Sequence, residues 1–390
     1  MMKQKKEQKT NSFLKKCAAN LRKKGLPVIF NLRHLAKTAD VRWVTLNRIV
    51  SRRNEKRDYE LFSIPKRSGG RRYIHKVAKN LAKVQKYINQ EILRQIPPHS
   101  SSYAFHKMGG VRSCAEVHCG ARWLIQLDLK DFFYSISELK TFQVFKKMGY
   151  SAQVSFELSR LCTTCYLPSE KSEYLKAPHP RKQSRKKKHP ALNELRYKGT
   201  KFLGVLPQGA STSPMLSNLA AFNLDETLKQ YALENGFKYS RYADDLTFST
   251  TELPQKKSIA CLLREIISII RKNGFKENPK KTHISGPGSR KKVLGLLVDG
   301  SVPRVPKKLW MEMDKLLYSV EKYGIKKTAR YGKFVSPQFF GQHILGMIAF
   351  MKDVSPVQFS DKLGEKFEKT ISEIEEYVAE TMERENKTSR

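Results

Sequence analysis

Residues 239–250 read Tyr-Ser-Arg-Tyr-Ala-Asp-Asp-Leu-Thr-Phe-Ser-Thr. Apolar and β-favouring residues flank the adjacent carboxylates Asp244 and Asp245, a pattern that predicts a β-hairpin with the acids near its turn. Two neighbouring carboxylates repel each other, so a fold keeps both charged most easily with a cation at hand. Hard oxygen donors favour Mg²⁺, and Mg²⁺ held by few protein ligands is the usual arrangement for phosphoryl transfer. Taken alone, the pair also suits a solvated turn, because Asp is common in turns.

The stretch upstream favours the first reading. Residues 124–136 read Leu-Ile-Gln-Leu-Asp-Leu-Lys-Asp-Phe-Phe-Tyr-Ser-Ile: an apolar strand that delivers Asp128 at its end, then an aromatic run. Clamping a pair of metal ions on a nucleoside triphosphate takes carboxylates from at least two strands, and Asp128 is the natural partner of Asp244. One ion would lower the pKa of a primer hydroxyl and the other would neutralise the leaving pyrophosphate. Residues 205–219 read Val-Leu-Pro-Gln-Gly-Ala-Ser-Thr-Ser-Pro-Met-Leu-Ser-Asn-Leu. Gly209 lets the backbone approach a ligand closely, and Ser211 or Thr212 suits the cap of a helix beginning near Ser213-Pro214. Residues 61–74, Leu-Phe-Ser-Ile-Pro-Lys-Arg-Ser-Gly-Gly-Arg-Arg-Tyr-Ile, predict two strands with Ser-Gly-Gly at the turn. Val77, Leu81, Val84, Ile88 and Ile92 follow at helical spacing and predict a core-facing stripe.

Leu-Asp-Leu-Lys-Asp-Phe-Phe, Leu-Pro-Gln-Gly-Ala-Ser-Thr-Ser-Pro, Tyr-Ala-Asp-Asp and Asn-Pro-Lys-Lys-Thr (278–282) follow one another within about 155 residues. This order resembles the palm of a reverse transcriptase, and within that family the bacterial retron-type enzymes. The resemblance implies an α+β right-hand polymerase fold: fingers, a palm of antiparallel sheet plus helices, and a helical thumb. It implies that Asp128, Asp244 and Asp245 are the metal-binding catalytic acids and that two Mg²⁺ ions serve them. Phe133 matches the aromatic steric gate, whose ring would clash with a ribose 2′-OH; a core aromatic is the alternative for it. Asp131 matches a position near the incoming triphosphate, Gln208 the loop residue touching nucleotide and template, and Lys281 (or Lys280 beside it) a basic residue near the pyrophosphate. Lys66 and Arg72, on the hairpin that resembles the fingers, would reach over the triphosphate, or else decorate a basic surface.

Retron enzymes carry an Asn-Ala-x-x-His element before the first catalytic Asp and a Val-Thr-Gly element after the palm. Here the first reads Cys114-Ala115-Glu116-Val117-His118 and the second Val293-Leu294-Gly295. His118 is then a candidate RNA contact, or a structural histidine. The implied partners are dNTPs, a structured noncoding RNA as template and primer, its single-stranded DNA or RNA–DNA product, and an effector protein in anti-phage defence. Synthesis would start from an RNA 2′-OH. The alternatives are another defence-associated or group II intron-like reverse transcriptase, or a non-catalytic RNA-binding palm.

Composition agrees with a polyanionic partner. The chain has 75 Lys+Arg against 36 Asp+Glu, a net charge of +39. Such a field attracts nucleic acid and speeds encounter with it. No apolar run approaches the ~20 residues that span a bilayer, so no membrane role is expected. The basic start, Met-Met-Lys-Gln-Lys-Lys-Glu, lacks a following apolar block and is no secretory signal, which predicts a cytoplasmic protein; the resemblance implies a bacterial one. Six scattered cysteines fit a reducing compartment. Cys162-x-x-Cys165 is a single pair that would need Cys114, His118 and Cys119 to make a zinc site; free core thiols are the simpler expectation.

The chain divides into a basic N-terminal segment (1–27), fingers and entry to the palm (28–127), a palm (128–300) and a helical thumb with C-terminal tail (301–390). Residues 167–200 interrupt the palm with Pro, charge and no apolar period, and predict a mobile basic loop. Its Arg181, Arg185 and Lys186 are candidates for RNA-backbone contact, or simply solvated. Trp310, Met313, Leu316, Leu317 and Val320 recur at helical spacing, as do Phe367, Ile371, Ile374 and Val378.

Overall fold

The computed structural model describes residues 15–66, 69–175, 202–255 and 257–388. The Gly-Gly turn expected near residue 69 joins β1 (Tyr59–Pro65) to β2 (Arg71–Val77), paired antiparallel. Gly69 and Gly70 both lie at positive φ, 85° and 78°, and the Lys66 N–H donates to the Gly70 carbonyl.

The palm is a four-stranded antiparallel sheet made of β3 (Trp123–Asp128), β4 (Lys238–Tyr242), β5 (Asp245–Thr250) and β6 (His283–Ser285), in the spatial order β4-β5-β3-β6. Side chains on a strand alternate faces. On β3, Ile125 and Leu127 therefore enter one core, with Leu246, Phe248 and helices Glu138–Met148, Ala152–Cys162, Phe222–Glu234 and Ile259–Lys272. Leu124, on the opposite face, enters a second core with Val293, Leu296, Trp310 and the C-terminal helices. Asp128 shares the face of Leu124 and Gln126, so the strand that builds both cores also carries the first acid. The boundary expected between residues 127 and 128 thus falls inside a strand, and the palm sheet begins at Trp123.

The hairpin β7 (Lys292–Val293) and β8 (Leu296–Leu297) leads to helix Lys307–Tyr331, which breaks at Gly324 (φ 77°, ψ 158°). Helices Pro337–Val354 and Glu368–Thr388 pack beside it. Gly341 makes that packing close: a Cβ there would stand 2.6 Å from Val378. The expected stripes of Trp310, Met313, Leu317, Val320 and of Phe367, Ile371, Ile374, Val378 are buried, as are Leu81, Val84, Ile88 and Ile92. Val77 does not join the helix after the fingers; it ends β2, and the helix runs Lys79–Tyr87.

Candidate active site

The register sets Asp128 at the end of β3 directly opposite Asp245 at the start of β5. Between β4 and β5 only Ala243 and Asp244 remain to make the turn. Ala243 has φ +57°, a left-handed conformation that costs a residue with a Cβ about 1 kcal/mol. The compensation comes from below. The fully buried Arg241 donates Nη1 to the Ala243 carbonyl at 3.0 Å and forks onto Asp225, Nε to Oδ1 at 2.7 Å and Nη2 to Oδ2 at 2.6 Å. Tyr239 Oη donates to the same Asp225 at 2.9 Å, and Asn218 Oδ1 accepts from Arg241 at 3.1 Å. Arg241, Asp225 and Asn218 are functional residues that the sequence reading missed. The Leu129 N–H donates to the Asp244 carbonyl at 2.8 Å, which ties the turn to β3.

The Asp128 carboxylate is buried, accepts from Asn278 Nδ2 at 3.0 Å and is paired with Lys281. Of the two neighbouring lysines Lys281 is the one that touches an acid, and it sits on Asp128. Asp244 is held above the usual carboxylate range, first by burial and then by the Asp128 charge. Asp245 lies on the open side of the turn, yet loss of surrounding water, Asp244 and Asp128 push it up to about 6. Three crowded carboxylates with raised proton affinity are a destabilised anionic cluster, and their hard oxygens suit a divalent cation. Among the described residues no three ligating side chains already form a cage, and Lys281 is paired with an Asp128 oxygen. The donor set fits such a cation chemically, with Lys281 standing in for part of its charge. A cleft of about 300 Å³ opens beside Asp128, Asp245 and Lys281 and is also lined by Leu294, itself at φ +49°.

The structure separates the two adjacent phenylalanines. Phe132 is core and packs on Phe275; Phe133 is only partly buried, and its ring lies 6.3 Å from that of Phe105. Asp131, at φ +49°, turns the chain after β3, and the turns that follow are tied by the Ser135 N–H donating to the Asp131 carbonyl and the Ile136 N–H donating to the Phe133 carbonyl. Successive N–H groups of such a turn are the setting for an anion-binding concavity. The fingers close the far wall. His75 N–H donates to the Gln208 carbonyl at 2.7 Å, and a Cβ on Gly209 would stand 2.6 Å from the His75 carbonyl oxygen. Gly209, at φ +108°, therefore serves a close approach between fingers and palm. Helix Ser213–Ala220 starts where expected, with Pro214 in its first turn, but neither Ser211 nor Thr212 caps it through a side chain. Lys66 and Arg72 are exposed on the hairpin.

Two readings are corrected, those of His118 and of the interrupting segment, while the cysteines are free thiols as expected. His118 is not open to RNA: it is fully buried against the face of the β4–β5 pair, its Nε2 2.6 Å from Ser240 Oγ and its Nδ1 2.7 Å from Ser249 Oγ. No zinc site forms among the described residues; all six cysteines are free, and burial pushes Cys162 up to about 12 and Cys114 and Cys165 up to about 11, so they remain thiols. The interrupting segment is not a loop throughout, since Ser169–Leu175 forms 3₁₀ turns against the site. Arg181, Arg185 and Lys186 lie outside the described residues.

His118 also carries a prediction. Burial, then the Lys238 charge, lowers its pKa to about 3. The unfolded chain binds this proton near the ordinary value of about 6.5, the folded chain only near 3. Its contribution is therefore complete above pH ~6.5 and declines by about 1.4 kcal/mol per pH unit as pH falls. Replacing His118 with Gln should flatten the fall in unfolding free energy between pH 6.5 and 4.5, measured by urea titration; parallel curves would contradict it.

A family model described as reverse transcriptase (RNA-dependent DNA polymerase) matches residues 64–298. The chain belongs to the reverse transcriptase family. Its relatives include the retron Mx162 reverse transcriptase of Myxococcus xanthus, 29% identical over 91% of this chain and 69% of that one. The retron Ec86 reverse transcriptase of Escherichia coli is 28% identical over 90% of this chain and 94% of that one. Among solved structures, telomerase from Candida albicans overlaps at a TM-score of 0.39 with 13% identity, covering 82% of this chain and 59% of that one. The protein is a retron-type reverse transcriptase, an RNA-directed DNA polymerase with an α+β polymerase fold. Reverse transcriptases use divalent metal ions. No helix among the described residues of this reverse transcriptase is long and apolar enough to cross a membrane.

Proposed function

We propose that this reverse transcriptase copies part of a structured noncoding RNA into single-stranded DNA, starting from an RNA 2′-OH, with two Mg²⁺ ions at Asp128, Asp244 and Asp245, in the bacterial cytoplasm and in the service of anti-phage defence with an effector protein. The observation that carries this reading is the meeting of those three carboxylates at one end of β3 and β5. When bound, the ions supply activation of the attacking hydroxyl and neutralisation of the leaving pyrophosphate. The chain's own residues do the rest. Arg241 fixes the turn that bears Asp244 and Asp245. Phe133, at the rim of the core, excludes a 2′-OH. The 131–134 amides receive phosphate, and Lys66 and Arg72 cover it from the fingers with charge-assisted bonds. Gln208, on a loop locked to β2, bears on the nucleotide and template.

Nucleic acid copurifying with the protein tests the priming. A short single-stranded DNA joined covalently to RNA is expected; debranching enzyme should change its gel mobility, and RNase should leave a small branched stub. DNA primed from a 3′-OH or from a protein side chain, with no branch, contradicts the 2′-OH start.

A further inference from the structure

The seven residues Ser169–Leu175 touch both β2 of the fingers hairpin and the turn after β3. Lys171 Nζ lies 2.7 Å from Asp131 Oδ2, and Tyr174 Oη donates to the same oxygen at 3.0 Å. The Tyr174 ring lies 6.2 Å from that of Tyr134, two residues beyond the core Phe132. On the other side Glu170 Oε1 accepts from Tyr73 Oη at 3.0 Å, one residue from Arg72 on β2. The Leu203 N–H donates to the Leu175 carbonyl at 2.8 Å, which fixes the end of this segment to the loop that leads to Gln208.

We infer that Lys171 is a triphosphate-binding residue of the nucleotide pocket, supplied by the segment that interrupts the palm. A triphosphate carries several negative charges. A bare Asp131 carboxylate at the 131–134 turn would repel it, and the Lys171 ammonium removes that repulsion. An ammonium has three N–H donors. One is directed at Asp131, which leaves two to face phosphate oxygens beside the amide concavity. The pair is largely shielded, with side-chain exposures of 22% for Lys171 and 15% for Asp131. A charge contact there is screened less than one on the surface. Tyr174 bonds the same oxygen without charge, so it orients Asp131 while Lys171 supplies the cation.

This inference rests on the assignment of the nucleotide pocket, and the test separates the two. Steady-state KM and kcat for dNTPs on a saturating primed RNA template are measured for wild type, Lys171→Met, Lys171→Arg, Tyr174→Phe and Arg72→Ala. Inhibition by a dNDP reports how much the terminal phosphate contributes. Lys171→Met should raise KM about tenfold with little change in kcat or in RNA affinity, and should shrink the preference for triphosphate over diphosphate. Lys171→Arg should restore most of both, whereas Tyr174→Phe should leave that preference intact. An unchanged KM and preference in Lys171→Met overturns the inference, as does a lowered KM, which would mean that the segment blocks the pocket. If Arg72→Ala also leaves KM unchanged, the pocket assignment itself fails; if Arg72→Ala raises KM while Lys171→Met does not, only the role of Lys171 fails. Thermal melting of Lys171→Met establishes that the variant is folded.

Discussion

Asp244→Asn is expected to reduce DNA synthesis on a primed RNA template at least about a thousand-fold, some 4 kcal/mol of transition-state stabilisation, while its thermal midpoint stays equal to wild type or rises. The two halves have one cause. Asp244 sits partly out of water beside Asp128, and both effects raise its proton affinity, so its negative charge is unfavourable in the folded protein. The sign follows: a carboxyl whose folded pKa lies above its unfolded value costs stability at neutral pH and regains it as pH falls. A neutral amide of the same shape removes that cost together with the anionic oxygen a cation requires. Asp128→Asn should be equally inactive without the gain, because the buried Asp128 is already paired with Lys281 and Asn278. Primer extension and a melting curve on the same preparation test both halves. Retained synthesis would remove Asp244 from the site, and inactivity with a collapsed midpoint would make its role structural.

The second large effect belongs to residues that touch no substrate. Asp225→Asn leaves the Arg241 guanidinium buried without its counter-charge, since both Asp225 oxygens serve it. Breaking one partner of a buried pair costs about 3–5 kcal/mol, a large share of a typical total of roughly 5–15 kcal/mol. The midpoint should fall by about 4–6 °C. Replacing both partners with apolar residues, Asp225→Leu with Arg241→Met, should recover much of that loss, because neither charge is then stranded. Synthesis should not recover with it. The Ala243 carbonyl would have lost its Arg241 donor, and the left-handed turn under Asp244 would be free to relax. A double variant as active as wild type would mean that the network stabilises the palm without positioning the acids.

These two cases mark what the sequence makes legible. Asp128 and Asp244 stand at the ends of apolar runs of strand character, and the register that joins them follows from strand patterning and a two-residue turn. Arg241 and Asp225 left no such mark. In a chain with 75 basic residues an arginine within a strand gives no sign of being fully buried. Its partner lies sixteen positions upstream on a helix, at no local spacing that a pattern detects. Lys171 was hidden differently: the stretch around it is polar and lacks an apolar period, so it reads as loop, yet it is ordered by hydrogen bonds to Tyr73 and Asp131, neither of which is near in sequence. His118 was visible as a motif residue, but a motif does not tell a buried bridge between two serines from a surface contact. The division at residues 127/128 follows the acid, whereas the strand that delivers the acid starts five residues earlier, at Trp123.

The order of strands across the palm has a consequence for synthesis on the ribosome. The central strand β3 is complete at Asp128, but its neighbours are β5, which starts at Asp245, and β6, which starts at His283. At about 5–20 residues per second, the ~117 residues that separate β3 from β5 take roughly 6–23 s to emerge. For that interval an apolar strand waits with both edges unpaired, a state that invites association with other nascent chains. The yield of active protein should therefore depend on elongation speed and on chaperone occupancy between residues 128 and 285, more than on the stability of the finished fold.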